Sequence, residues 1–161
     1  MWFKLENQKL EYTKNAPFSF KNEIIINATP NKVFDVLAGD TWKYWFKDFV
    51  GVKWTSQEPY GIGSTRIVDL KPISVKEKFL AWEYGKRYSF LIYEITIPLV
   101  KSMLEDMQLE EIDEGKTLFR WNVYYTPSLI MLIIHPIARS IFGGMFRESL
   151  NNLANYVQKD T

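Results

Sequence analysis

The sequence predicts an α+β fold in one domain: a strand, two short helices, six further strands and a long terminal helix. Three observations carry this reading. Apolar and polar residues alternate at a period of two through most of Val50 to Thr126, the pattern of half-buried strands. Thr29-Pro30 starts a helix directly after a first apolar strand, with Thr29 as N-cap and Pro30 at the first helical position. In the last third, Phe142, Phe146, Leu150, Leu153 and Val157 recur at steps of three or four, which places them on one face of a helix.

In chain order, residues 1–18 read as an extension of unassigned structure, in which Trp2, Phe3, Leu5, Leu10 and Tyr12 are available to clamp it to the body. Ser19 to Asn27 is a strand centred on Ile24-Ile25-Ile26. The helix begun at Thr29 buries Val33, Phe34 and Leu37 and stops at Gly39, and Asp40-Thr41 offers a cap for a second short helix carrying Trp42, Trp45 and Phe46. A strand around Val52 and Trp54 turns through Glu58–Gly63 into a partner from Ser64 to Leu70. Gly61-Ile-Gly63 opens a strand, whereas a phosphate-binding loop opens a helix, so it is a hairpin turn. Ile73 to Glu83 alternates Val75, Glu77, Phe79 and Ala81 against Lys76, Lys78, Leu80 and Trp82. Tyr84-Gly85-Lys86 turns into Arg87–Thr96. After Pro98, Leu104–Ile112 and Thr117–Thr126 pair across Asp113–Lys116. The final helix must pass Pro136 and Gly143-Gly144, each a site for a break or bend.

Composition excludes several function classes. With 20 basic and 19 acidic residues the net charge is +1, so no global field favours nucleic acid or an anionic membrane. Cysteine is absent and histidine occurs once, so neither a metal site nor a cofactor is expected. The N-terminus lacks the basic start and apolar run of a secretory signal. The run Leu129–Ile134 is short beside the ~20 apolar residues of a membrane span, so no stable membrane insertion is expected and a cytoplasmic location is the default. The oligomeric state is left open.

The stretches Asn27-Ala-Thr-Pro-Asn-Lys-Val-Phe-Asp-Val-Leu37, Trp42-Lys-Tyr-Trp-Phe46, Val52-Lys-Trp-Thr-Ser56, Gly61-Ile-Gly-Ser-Thr-Arg66, Glu77-Lys-Phe-Leu-Ala-Trp-Glu83 and Gly115-Lys-Thr-Leu-Phe-Arg-Trp121, with the order of elements, carry a resemblance. The chain resembles the START-like superfamily (Bet v 1-like, or SRPBCC), most closely its polyketide cyclase/dehydrase and lipid-transport branch. The resemblance spans residues 19–158 and divides the chain into an N-terminal extension, 1–18, and a ligand-binding domain, 19–161. It implies a helix-grip fold, a seven-stranded antiparallel sheet wrapped around the C-terminal helix with a ligand cavity between them. It specifies fold more closely than activity, because family members range from lipid carriers to cyclases.

In such a fold strand alternation becomes a statement about the cavity. Lys76 and Lys78 point to water, which sends Glu77 inward with Val75 and Phe79. Glu105, Met107 and Leu109 form the more apolar set of their strand, so Glu105 also points inward, and Arg66 shares a face with Val68 and Leu70. An inward carboxylate needs a partner, and Arg66 or Arg139 supplies one. Counting back along the helix at ~100° per residue, His135 and Arg139 fall on the stripe of Phe142 and Phe146 and would receive a ligand's polar end. Weak catalytic candidates are His135, Glu77 and Glu105, His135 because its ordinary pKa lies near neutrality. Aromatics make up 16% of the chain, with six Trp. At least three of Trp45, Phe49, Trp54, Phe79, Phe90, Trp121 and Phe142 are therefore expected to touch ligand. Three readings follow: a binder or carrier of a lipid-like or polyketide-like hydrophobe, a cyclase or dehydratase, and a protein-interaction module resembling a chaperone co-activator. The last requires a filled core.

Overall fold

The computed structural model describes residues 1–159; Asp160 and Thr161, at the end of the expected domain, lie outside them. The elements are β1 (Phe3–Lys4), α1 (Tyr12–Asn15), β2 (Phe18–Ile26), α2 (Pro30–Ala38), a 3-10 turn (Trp42–Tyr44), β3 (Phe49–Trp54), β4 (Thr65–Leu70), β5 (Ser74–Glu83), β6 (Arg87–Ile95), β7 (Val100–Asp113), β8 (Lys116–Pro127) and α3 (Leu129–Lys159). Seven strands lie in the order β2-β8-β7-β6-β5-β4-β3, all neighbours antiparallel, and β1 joins off this path beside β6. From β3 to β8 each strand pairs with the next. Within this seven-strand path the long crossing is from β2, at one edge, to β3, at the other, and α2 and the 3-10 turn make it. This is the helix-grip arrangement, with α3 gripped by the sheet.

Local chemistry sets the crossing. The Thr29 hydroxyl accepts from the Lys32 amide at 3.4 Å, and Pro30 occupies the first turn of α2, where its missing N–H costs nothing. Val33, Phe34 and Leu37 are buried. Trp42 donates its indole N–H to the Leu37 carbonyl at 2.7 Å, tying the 3-10 turn to the end of α2. In the β5–β6 hairpin Gly85 has φ +68°, and a Cβ there would lie 2.2 Å from Asn31 Oδ1. Asn31 is exposed and can swing aside, so backbone conformation dominates the cost. Gly85→Ala is expected to lose about 1–2 kcal/mol, read as a lower urea midpoint at unchanged slope.

The expected strand phase is present on β5 as far as Phe79, with Val75, Glu77 and Phe79 buried; Ala81 is buried too, but opposite Ser89 on the outer face. Register shifts between Phe79 and Ala81, however. A bulge there moves the following residues relative to β6, and Trp82, expected to face away, instead packs on Phe79, Tyr88 and Phe34. On the outer face of β7, Asp106 is buried, accepting from Arg87 at 2.8 and 3.1 Å, from Gln108 at 2.9 Å and from Ser89.

Helix α3 is continuous through Pro136 and Gly143-Gly144. Pro136 and the residue four positions earlier, Leu132, are both exposed, so water can serve the carbonyl that a proline leaves without a donor. Gly143 is buried where the helix closes on β2: an added Cβ would touch the Phe20 ring at 3.6 Å. Beyond it, Phe146, Leu150, Leu153, Ala154 and Val157 join the main core with Phe34, Trp45, Phe79, Phe119 and Trp121. A second cluster, Leu5, Val68, Val75, Ile92 and Ile95, shows what the N-terminal segment does. Its Leu5 and Glu6 amides bond to Tyr93 and Lys101 carbonyls at 2.9 and 2.8 Å, and the Tyr12 hydroxyl bonds Thr126 at 2.8 Å. The segment thus fills the end where β6 and β7 part.

Candidate functional site

The N-terminal half of α3 packs less closely than its C-terminal half, and a cavity of about 700 Å³ lies between it and the sheet. Val68, Val75, Ile92 and Met103 supply its floor, Met131, Ile134, Ala138, Ile141 and Met145 its helical wall. Loop residues Pro72, Ile73, Ile97 and Leu99 extend the lining, which the charged residues Lys47, Asp48, Lys71 and Glu148 also border. At the border of the cavity α3 is latched to the loop before β3 by Lys47–Glu148 at 2.6 Å and by the Lys47 amide donating to Ser149 Oγ at 3.0 Å.

Two buried carboxyls stand in this apolar wall, Glu77 and Glu105. Glu77 and Arg66 are direct cross-strand partners on β5 and β4, and the Arg66 Nε donates to Glu77 Oε2 at 2.6 Å. The guanidinium carbon lies 5.1–5.4 Å from the ring centres of Trp42, Trp54, Phe79 and Phe90. A planar, weakly hydrated cation suits such a cage better than an ammonium would. Burial pushes the Glu77 carboxyl above its ordinary value and the Arg66 charge pulls it back. Burial also opposes the Arg66 charge, but Glu77, Tyr88 and Glu105 outweigh it and raise that pKa.

Glu105 has no cation in hydrogen-bond contact among the described residues; it accepts from the Trp121 indole N–H at 2.8 Å. Burial, reinforced by the Glu77 charge, raises its pKa to about 8, against the smaller opposing effects of Trp121 and Arg66. At neutral pH the carboxyl is therefore mostly protonated. One oxygen serves Trp121, and the acid can present a hydroxyl to the cavity. Beside it, Glu77 offers an acceptor. The pair can bind a carbonyl or hydroxyl, and Glu105 can exchange a proton near neutral pH.

The other candidates fall into distinct places. Phe90, Phe142 and Phe146 line the cavity with Glu77 and Glu105. Trp45, Phe79, Met107 and Trp121 are fully buried in the core around it, and Phe49 packs at its margin. Trp54 and Arg66 line a smaller hollow of about 490 Å³ with Val52, Glu58 and Tyr60; Trp42 borders both spaces. His135 and Arg139 face β2 and β8 instead. His135 Nε2 is 2.9 Å from the Tyr125 hydroxyl, and Arg139 donates to that hydroxyl at 3.1 Å and to the Ser19 carbonyl at 2.9 Å. Helix rotation explains this: the cavity takes Met131, Ile134, Ala138, Ile141 and Met145 at steps of three and four, leaving His135 and Arg139 on the neighbouring row.

Of the aliphatic lining, Val75 and Val68 lie on the faces already assigned to Glu77 and Arg66, whereas Ile92, Met103 and the helical row escaped sequence reasoning. Met103 precedes the inward Glu105 by two residues on the same strand, so the alternation that located Glu105 locates it too.

A family profile described as polyketide cyclase/dehydrase and lipid transport matches residues 17–158. An uncharacterized protein of Mycobacterium tuberculosis is 36% identical over 112 residues, covering 68% of this chain and 67% of that protein. Among solved structures, a START superfamily protein from Mycobacterium smegmatis is similar with a TM-score of 0.75 at 9% identity, over 89% of this chain and 99% of that one. The Zhui aromatase/cyclase of a Streptomyces species gives 0.71 at 13% identity, over 88% and 94%. At such identities these structures speak for the fold alone.

Proposed function

Because the chain belongs to the polyketide cyclase/dehydrase and lipid transport family, we propose that it binds a hydrophobic small molecule, lipid-like or polyketide-like, bearing a neutral oxygenated end. The observation that carries this reading is an apolar cavity of about 700 Å³ with Glu77 and Glu105 as its buried carboxyls. That volume falls within the ~300–1,000 Å³ of small-molecule sites. The apolar lining supplies affinity through area removed from water, ~25 cal/mol per Å², and the two carboxyls set orientation. A ketone or hydroxyl accepts from protonated Glu105 or donates to Glu77. Beside Glu105 an anionic head group would meet the Glu77 charge, and the Arg66 cation at that point is already committed to Glu77, so neutral ends are favoured there. The interaction-module reading needs a filled core, and the cavity argues against it.

Cavity filling tests this. Gly144 lines the cavity and an added Cβ there meets no atom within 4 Å, while Ala138 is a buried lining residue. The pair Ala138→Phe and Gly144→Phe is expected to weaken binding of a fluorescent polyene fatty alcohol by about tenfold or more through lost volume. Loss of a helical glycine offsets part of any strain, by ~0.5–1 kcal/mol. Failure of the unaltered protein to bind either that alcohol or a fused-ring phenol would refute the reading, as would unchanged affinity in the pair.

One observation favours a second, catalytic reading. Glu105, with a pKa of about 8, is matched to general-acid work near neutral pH, as a cyclase or dehydratase would need. Glu105→Gln should then abolish turnover of a bound polyketone while leaving its binding within a few-fold; equal loss of both would exclude this reading.

A further inference from the structure

The first half of α3 exposes an unusual quantity of apolar surface. Leu129 (74%), Ile130 (57%), Ile133 (82%), Ile137 (68%) and Ile141 (65%) are largely open to solvent, and Leu132 and Ile134 are nearly half open. Folded chains rarely leave such a contiguous patch without a partner. By length and composition α3 could cross a membrane, and only 22% of its most apolar window is buried. Yet its C-terminal half is built into the core, which holds the helix against the sheet and argues against a stable span.

We propose that this half-helix docks the protein onto an anionic phospholipid membrane, lying in the interface with the mouth of the cavity against the acyl layer. Three features select this occupant. The patch is aliphatic, without the aromatic and polar anchors that concentrate energy in protein interfaces; an acyl layer requires none. Charge is complementary: from Gly115 to Arg147 the chain carries no Asp or Glu. Arg147, exposed on the same helix, forms no salt bridge among the described residues, while Arg139 is turned to Tyr125 and Ser19. The net charge of +1 conceals this local excess, which suits anionic head groups. Finally, Ile134, Ile137 and Ile141 belong at once to the exposed patch and to the cavity wall, so a hydrophobe could pass between cavity and bilayer without crossing water. Docking stands on the surface alone; its use in loading or unloading ligand rests on the binding function proposed above.

Vesicle co-sedimentation tests it, using phosphatidylcholine vesicles with and without phosphatidylglycerol. The protein should sediment with the anionic vesicles, and less so as salt rises. Ile130→Asp with Ile133→Asp, at positions outside the cavity lining, should reduce the bound fraction by at least about tenfold, with circular dichroism unchanged. Arg147→Gln should weaken binding to anionic vesicles only. The proposal is overturned if the unaltered protein stays in the supernatant, if both vesicle types bind equally, or if the aspartate pair binds as well as its parent. It is overturned equally if light scattering finds a dimer that the pair dissolves, since the surface would then serve a second copy. Titration of the polyene alcohol without vesicles separates the two readings: retained alcohol binding with no vesicle binding removes docking and leaves the cavity function standing.

Discussion

Arg66→Ala is expected to destabilise the fold by about 3–5 kcal/mol, measured as a fall in the urea midpoint. The cation is 3% exposed, bonded to Glu77 at 2.6 Å and enclosed by Trp42, Trp54, Phe79 and Phe90. Truncation removes the packing and leaves Glu77, 4% exposed, as a buried carboxylate with no charge partner, which is the costly way to break an ion pair. Glu77 in the variant should respond by holding its proton. A carboxyl whose folded pKa is raised stabilises below its unfolded pKa and loses that contribution as pH rises through the folded value, so the deficit should be smaller near pH 5 than near pH 8. Arg66→Met with Glu77→Gln removes both charges and should recover more than half of the loss. A deficit for Arg66→Ala below about 1 kcal/mol would mean that water reaches Glu77.

The pH dependence of the native protein should be governed by Glu105. Its pKa is raised from 4.5 to about 8, so the folded state holds a proton that the unfolded chain releases above the ordinary carboxyl range. The stabilising contribution is complete below the unfolded value, falls as pH rises, and is gone above about 8. The melting temperature should therefore drop between pH 5 and pH 9, by a free-energy change on the order of 3–5 kcal/mol. Glu105→Gln keeps an acceptor for the Trp121 indole N–H but cannot titrate, so most of this slope should vanish, with a residue left by Glu77, whose pKa is raised in the same direction. A slope that survives the substitution intact would assign the effect elsewhere. Binding of a neutral oxygenated ligand should weaken over the same window, because ionised Glu105 no longer donates.

Both predictions concern residues whose inward direction is written in the sequence. Glu77 sits between Lys76 and Lys78, and Glu105 alternates with Asp106. On a sheet with one buried face, such neighbours assign each side chain to a side. Their burial was legible; that Glu77 would bond a cation while Glu105, among the described residues, bonds none was not, because the Arg66–Glu77 register depends on how β4 pairs with β5. The same limit applies to Trp82, which a bulge turns into the core. The N-terminal segment was legible only as a set of apolar residues able to clamp. Its Leu5 acquires meaning from the opening between β6 and β7, more than eighty residues further along the chain.

The terminal helix divides the two kinds of information most clearly. Its amphipathic C-terminal half, the strand phases and the glycine turn at Gly85 follow from the sequence by itself, since backbone periods of two and 3.6 residues are local properties. Tertiary structure alone decided how far the helix is rotated. Close contact of Gly143 with Phe20 and burial of Phe146 fix its angle, and that angle turns Ile134, Ala138 and Ile141 towards the cavity and His135 and Arg139 towards Tyr125. A rigid helix has one rotation for its whole length. The tightly packed half sets it, and the looser half, where the cavity and the exposed isoleucines lie, must follow.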